Sequence, residues 1–509
     1  MNMKKRSGLL RFALALLIAL AFLSVFSKNS FLYPMNDWVD ANCFFTAARS
    51  MLDGKVLYLD ICEQKGPVVY FVFALAALVS RTSFIGVFLI EVLSFAAFLY
   101  AGDACVRLYR PKLALSSSAG VMVLVSFAIT TALSFSHGGS VEELSLFMLA
   151  FSLLFVLRAV KTNAEVKNAE AALIGMFAGA ALWSKFTILG FYLGLCVFTA
   201  VYMIRRGALS RLVKNAAAFS LGFCAATAPV LIYLFLNGAF GAMAETYFYN
   251  NIFLYPSRVG ESTVLKLLSP AVNMLKGAAA SLVTNGLCTV LIAFGAYRLI
   301  RRGKTHPNEA LAVWFSVVPL AAASFFGGKL FAPYYALIMV FCAPLGAAAM
   351  LNHIKECAKK TRRAVPRASR VVLMAAVLIL IGMPLSRNTR LLLYKKTDMP
   401  QYRFAEVIAK REGATLLNYG FLDGGFYFAA QKNPSCKYFC ELNIELDEMF
   451  AEQRRMIEMR EVDFVVTRGN TLDERGIDHS GYRLLRVSSF PFESRYFAYH
   501  LYERIENGD

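Results

Sequence analysis

The sequence predicts a polytopic α-helical membrane protein that ends in a small extracytoplasmic α/β domain. Three observations lead there. Hydrophobic residues make up 58% of the 509 and charged residues only 17%, with a mean hydropathy of +0.52. A soluble chain of that make-up would expose too much apolar surface. The formal net charge of +19 comes from Lys and Arg gathered in short runs between apolar segments: Lys4-Lys5-Arg6, Arg205-Arg206, Arg301-Arg302 and 359–370. That pattern marks cytoplasmic loops and argues against a nucleic-acid surface. From about residue 388 the apolar runs give way to charged and alternating segments.

Taken in order, the basic start followed by the apolar run 9–27 reads as an uncleaved first helix. The run is long for a signal peptide and no small-residue cleavage site follows. Its flanking charge puts the N-terminus in the cytoplasm and residues 28–66 outside. The apolar run 67–80 is short and reads as re-entrant or interfacial; treating it as non-crossing lets the later basic runs fall inside. Spans then come at 84–101, 113–134, 141–157, a hairpin of 171–184 and 187–204 around Lys185, and 215–236. An aromatic polar loop, ETYFYNNIFLYPSR, comes next, and then spans at 277–297, 310–327, 331–350 and 371–386. The total is about eleven crossings, with the C-terminus outside. Residues 1–387 thus form the membrane module and 388–509 the outer domain. In that domain 400–411 and 446–460 read as helices, and 414–420, 462–468, YRLLRVSSF and RYFAYHLYER as strands. No internal repeat is evident, which weakens a transporter built from duplicated halves.

The ten cysteines show no paired metal spacing. Cys43 and Cys62 fall in the first outer loop and Cys436 and Cys440 in the tail; pairing there is left open. The first outer loop holds the charged residues Asp37, Asp40, Arg49, Asp53, Lys55, Asp60, Glu63 and Lys65. From Asp40 to Leu52 the apolar positions recur at helical spacing, predicting an amphipathic helix on the membrane surface with Asp40 at its N-terminal end. Lys65-Gly66-Pro67 stands where the chain re-enters the apolar layer, a place suited to a lipid phosphate. Bland readings exist for each: a helix-capping acid for Asp40, an interfacial anchor for Lys65, a helix-dipole acid for Glu142. Glu91, deep in an apolar span, is a functional or a packing residue.

The pattern Asp40-x-x-x-Phe44-x-x-x-Ala48-Arg49-x-Met51-Leu52-x-Gly54, then Tyr58-x-Asp60 and Glu63-x-Lys65-Gly66-Pro67 with Tyr70, resembles the opening of the GT-C membrane glycosyltransferases. The resemblance is to the branch with the protein O-mannosyltransferases and lipid A aminoarabinose transferases. Three positions depart: Ala41 stands for a second acid, Phe44 for a tyrosine and Gly66 for a proline. The stretch 137–155, with Glu142 and Glu143, resembles the family's second outer loop, and 327–346 its late basic and tyrosine segment.

The resemblance implies an inverting glycosyltransferase with a GT-C-like fold, working at the outer face of the cell membrane. It would move a sugar from a polyprenyl-phosphate donor to an acceptor hydroxyl on a glycan, lipid or protein. Asp40 would take the acceptor's proton, and Lys65 would meet the charge developing on the leaving phosphate. Glu142 would share the catalytic work. Glu63, Asp37, Glu143, Arg258 and Lys329 are the further substrate-binding candidates. Carboxylates of this kind suit Mg²⁺ or Mn²⁺, though some members of the family work without metal. Two rivals stand beside this reading: a polysaccharide polymerase or ligase, and a transporter or flippase.

Overall fold

A computed structural model of the chain describes residues 3–255, 263–325, 332–358, 368–492 and 495–505. The chain divides into two compact units. One comprises Met1–Ser30, Phe88–Val230 and Arg258–Thr389; the other comprises Phe31–Val87, Leu231–Ser257 and Arg390–Asp509. Most of the loop 28–66 and most of the tail 388–509 therefore belong to the same unit.

The first unit is helical. Among the described residues seven helices of the chain are long and apolar enough to cross a bilayer: Ser7–Phe26, Ile85–Tyr109, Val141–Lys161, Phe186–Arg205, Leu209–Leu236, Pro307–Phe325 and Pro333–Met350. The stretch expected as one span at 277–297 is broken. Helices Ala271–Thr284 and Leu287–Gly303 meet at 112°. Gly286 makes the break, with φ +50, a conformation that costs glycine little. Asn285 beside it is held by Ser134 Oγ (2.7 Å) and the Ala336 carbonyl (2.9 Å), so the backbone freed by the kink has fixed surroundings.

The first six helices of the chain are α1 (Met3–Phe26), α2 (Val39–Leu52), α3 (Pro67–Val79), α4 (Ile85–Tyr109), α5 (Leu115–Thr130) and α6 (Val141–Lys161). At the end of the first unit expected to face the cytoplasm, Arg11 of α1 reaches Asp103 of α4 (3.4 Å) and the Leu113 carbonyl (2.9 Å), just before α5. Arg107 also pairs with Asp103 (2.8 Å). Such a buried carboxylate is tolerable only because two guanidinium groups neutralise it.

In the second unit α2 and α3 pack on each other. Pro67 opens α3 at its first helical position, with Gly66 before it. Its 13 residues extend about 20 Å, short of the ~30 Å hydrocarbon layer. The tail forms the expected α/β fold, with helices Pro400–Ile408 and Asp447–Glu458 and four strands: β1 (Leu416–Tyr419), β2 (Phe464–Arg468), β3 (Tyr482–Phe492) and β4 (Arg495–Arg504). The sheet order is β1-β2-β4-β3, with β1 parallel to β2 and the other neighbours antiparallel. Residues 244–254, expected as loop, are helical with widened π-type turns. Tyr247 and Asn250 are buried there, and Asn251 donates to the Gln64 carbonyl (2.7 Å). That tertiary anchor is what a local reading of a polar aromatic stretch misses.

Candidate functional site

The acid and the lysine at the two ends of the first loop's motif meet in the second unit. Asp40 is in the first turn of α2, where the helix dipole favours a carboxylate. The cap position belongs to Trp38 and no side chain caps it, so Asp40 is not the capping acid of the bland reading. Asp40 is only 7% exposed, and its Oδ2 lies 3.8 Å from Lys65 Nζ. Glu63 Oε1 lies 4.0 Å from the same ammonium. The Phe44 ring, one helical turn from Asp40, sits 5.6 Å from Nζ, supplying the cation with a π face.

Lys65 is held there by its backbone. Its N–H donates to Glu63 Oε2 (3.0 Å) and to the Tyr70 hydroxyl (3.1 Å), and its carbonyl accepts from the Tyr58 hydroxyl (2.6 Å). Tyr70 in turn donates to Glu63. Tyr58 is fully buried at φ +71, a conformation costly for a bulky residue and kept only where the surroundings hold it. Part of that hold comes from Tyr233, whose hydroxyl accepts the Leu57 N–H at 2.9 Å. Thus Tyr58, Glu63 and Tyr70 of the motif aim the lysine.

α2 does not lie on a membrane surface as its periodicity suggested. Every residue from Val39 to Ser50 is buried, because the polar face is satisfied by the tail. Thr46 donates to Asp423 (2.6 Å), and Arg49 donates to the Tyr427 carbonyl (3.0 Å), to the Lys432 carbonyl and to Asn433 Oδ1 (3.2 Å). Gly425, at φ +86, lets the tail approach: a Cβ there would stand 2.9 Å from Asn42 Oδ1. Phe44 packs on Phe73 of α3 (ring centroids 5.4 Å) on the other side. Nothing in the local sequence of 414–430 pointed to Asp423 as a docking residue; only its neighbours in space do.

Asp423 is wholly buried, and desolvation pushes its carboxyl up to about 6, with Thr46, the Gly425 N–H and Arg49 offsetting part of the rise. Its unfolded value is about 3.9, so the folded state holds this proton more tightly. The stability it contributes is complete below about pH 4 and is lost as pH rises through 6. The difference is on the order of 3 kcal/mol. Asp423→Asn keeps an acceptor for Gly425 and cannot ionise. Thermal unfolding from pH 4 to 7.5 should show the wild type losing ground to this variant; parallel curves would count against the assignment.

In the first unit, Ser140 caps α6: its Oγ accepts from the Glu143 N–H (3.1 Å), and the Glu143 carboxylate accepts from the Gly139 N–H (3.0 Å). This is a capping-box arrangement displaced by one residue. Glu142 turns elsewhere and pairs with Lys185, whose ammonium lies 4.0 Å from the Tyr335 ring centroid and 5.8 Å from that of Tyr334. Adjacent acids thus have different duties: Glu143 orders the helix start and Glu142 holds a cation. Glu91 is fully buried and accepts from Ser27 Oγ (2.6 Å), with the Glu143 carboxyl beside it. Asp37 is half-buried beside Tyr33 and Tyr499. Arg258 and Lys329 lie outside the described residues.

Among the described residues no three His, Cys, Asp or Glu side chains converge as a metal site. Asp40 and Glu63 are the carboxylates that could reach a hard cation in the loop, and the Lys65 ammonium already bridges them. With that counter-charge in place the pair does not fit a metal.

No protein-family model and no curated protein sequence matches the chain. Solved structures do. ArnT from Cupriavidus metallidurans bound to undecaprenyl phosphate superposes with a TM-score of 0.61 at 13% identity, covering 97% of each chain. The same protein in the apo state gives 0.59 at 12% identity, covering 98% of each. The apo oligosaccharyltransferase of Archaeoglobus fulgidus, at 13% identity and covering 90% of this chain and 69% of its own, reaches 0.45, too low to add to this. Over nearly its whole length, this chain has the GT-C fold, as ArnT has.

Proposed function

We propose that the protein is a membrane glycosyltransferase that moves a sugar from a polyprenyl-phosphate donor to an acceptor hydroxyl at the outer face of the membrane. The observation that carries it is the shielded Asp40–Lys65 pair at the end of a loop held on both sides. The undecaprenyl phosphate bound by ArnT, which shares the fold, supports the donor class.

The pair suits such a transfer. The acceptor oxygen attacks the anomeric carbon, its proton passes to the Asp40 carboxylate, and the bond from that carbon to the phosphate oxygen breaks. One face of the carbon is attacked as the other is vacated, so the configuration inverts. The negative charge leaves Asp40 and arrives on the departing phosphate while Lys65 stands beside Asp40. As Asp40 is protonated its hold on Lys65 weakens, and the ammonium is released to the phosphate when the charge appears there. Glu63, restrained by Tyr70, keeps Lys65 in place through both stages. Glu142 with Lys185 is the second catalytic candidate, a pair able to orient a hydroxyl or a phosphate. Asp37, Glu143, Arg258 and Lys329 remain substrate-binding candidates. The placement of these groups outside, with the N-terminus in the cytoplasm, rests on the positions of the basic runs.

The test is a reconstituted assay in liposomes with labelled sugar on polyprenyl phosphate, a membrane extract as acceptor, and lipid-diphosphate oligosaccharide as a competing donor. The expected result is labelled product together with free polyprenyl phosphate. Consumption of the diphosphate donor alone would favour a polymerase or ligase. Movement of intact lipid between leaflets without bond cleavage would favour a flippase.

A further inference from the structure

The face of α2 that meets the tail carries the adjacent Asn42 and Cys43, with Thr46 and Arg49 following at successive helical turns. Thr46 and Arg49 are joined to the tail by the hydrogen bonds to Asp423 and to the Tyr427 carbonyl, and Asn42 abuts Gly425. Between these anchors Cys43 Sγ lies 3.8 Å from Cys440 Sγ, with the two residues 0% and 1% exposed. The anchors set the separation of the two backbones, so the sulfurs face each other by construction. Three residues before Cys440, the Lys437 carbonyl accepts from the Cys62 N–H (2.9 Å). That bond ties the same tail segment to the part of the loop that leads to Lys65.

We propose that Cys43 and Cys440 become joined as a disulfide, a covalent staple between the helix bearing Asp40 and the tail. This rests on the outer-face reading of the protein's function, since such a bond persists in an oxidising compartment. Reaching the ~2.05 Å bond length asks each sulfur to move about 0.9 Å, within the reach of a side-chain rotation. The step balances. The two thiols give up two protons and two electrons to the disulfide of an extracytoplasmic thiol oxidoreductase, which leaves as a dithiol. Exchange runs through a mixed disulfide. Burial pushes both thiols up, so they are poor nucleophiles once the tail has docked. The bond therefore forms while the tail is folding onto α2, and afterwards soluble reductant has no path to it. Cys62 and Cys436 are the competing partners. Cys62 is turned to Thr246, 3.9 Å from its hydroxyl.

The experiment maps cysteines in the full-length protein in native membranes, alkylated with N-ethylmaleimide under denaturing conditions without reductant, then digested. The expected product is one cross-linked peptide pair containing Cys43 and Cys440, lost on reduction. Cys43→Ser should leave Cys440 alkylated. The Cys43→Ser/Cys440→Ser variant should unfold about 5 °C lower than the oxidised wild type, and reductant added during unfolding should lower only the wild type. Full alkylation of both residues without reductant, or a cystine joining Cys440 to Cys62 or Cys436, would overturn the proposal. Exposed Ser480, changed to cysteine and probed with an impermeant maleimide on intact cells, separates the two ideas. Labelling there with free Cys43 and Cys440 defeats the staple alone; no labelling until the cells are opened defeats the outer-face reading and the staple with it.

Discussion

Asp40→Asn is expected to lower the transfer rate by about 10²- to 10⁴-fold, the range that a positioned general base contributes. The amide has nearly the shape of the carboxylate, so the first turn of α2 keeps its fit. What it lacks is the ability to take a proton. Lys65 would lose one carboxylate and keep Glu63, 4.0 Å away, so the ammonium is not left without a counter-charge. The loss should fall on kcat, with donor binding little changed, because the phosphate does not depend on the proton acceptor in the ground state. Initial rates in the reconstituted assay, with thermal unfolding as the control for folding, read the two effects apart. Transfer at the wild-type rate by a folded Asp40→Asn protein would remove Asp40 from the catalytic role.

Lys65→Met is expected to cost roughly 10²- to 10³-fold in kcat, about 3–4 kcal/mol, as when a group stabilising a developing anion is removed. The loop should keep its path. Tyr58, Tyr70 and Glu63 all grip the Lys65 backbone and not its ammonium. Methionine occupies the stem's volume without charge. The loss should therefore fall on kcat in a protein whose thermal unfolding is unchanged, which a merely structural lysine would not produce. Transfer at the wild-type rate by a folded Lys65→Met protein would assign Lys65 to anchoring.

Part of this was readable from local chemistry. Asp40 and Lys65 stand out because an acid opens a helical pattern and a lysine precedes the Gly-Pro step at an apolar boundary. Both signals span a few residues, and the stretch between them is closed by a compact turn. The tail's strands were readable for the same reason, since alternation is a local property. Their order, β1-β2-β4-β3, was not. Adding β3 at the edge beyond β4 depends on which hairpin face finds partners, and no window of sequence records that.

The limits were sharpest at α2. Its period announced one apolar face and one polar face, the signature of a surface helix. The polar face instead meets groups 377 to 397 residues further on: Thr46 to Asp423, Arg49 to Tyr427 and Cys43 to Cys440. A polar face is stable in water or against matching donors and acceptors, and periodicity cannot tell these apart. Glu142 and Glu143 show the same limit at smaller scale. Neighbours in sequence, they point apart on the helix, and only the cap geometry assigns one to Gly139 and the other to Lys185.

What the sequence by itself determined is the class of the protein: apolar runs with basic punctuation, a charged loop after the first of them and an α/β tail, all set by local composition and period. The tertiary structure alone decided that the loop and the tail form one unit, because their polar groups satisfy each other across hundreds of residues. It also decided that the acid and the lysine lie 3.8 Å apart, since the turn around Tyr58 and the grip of Tyr70 bring the chain back on itself.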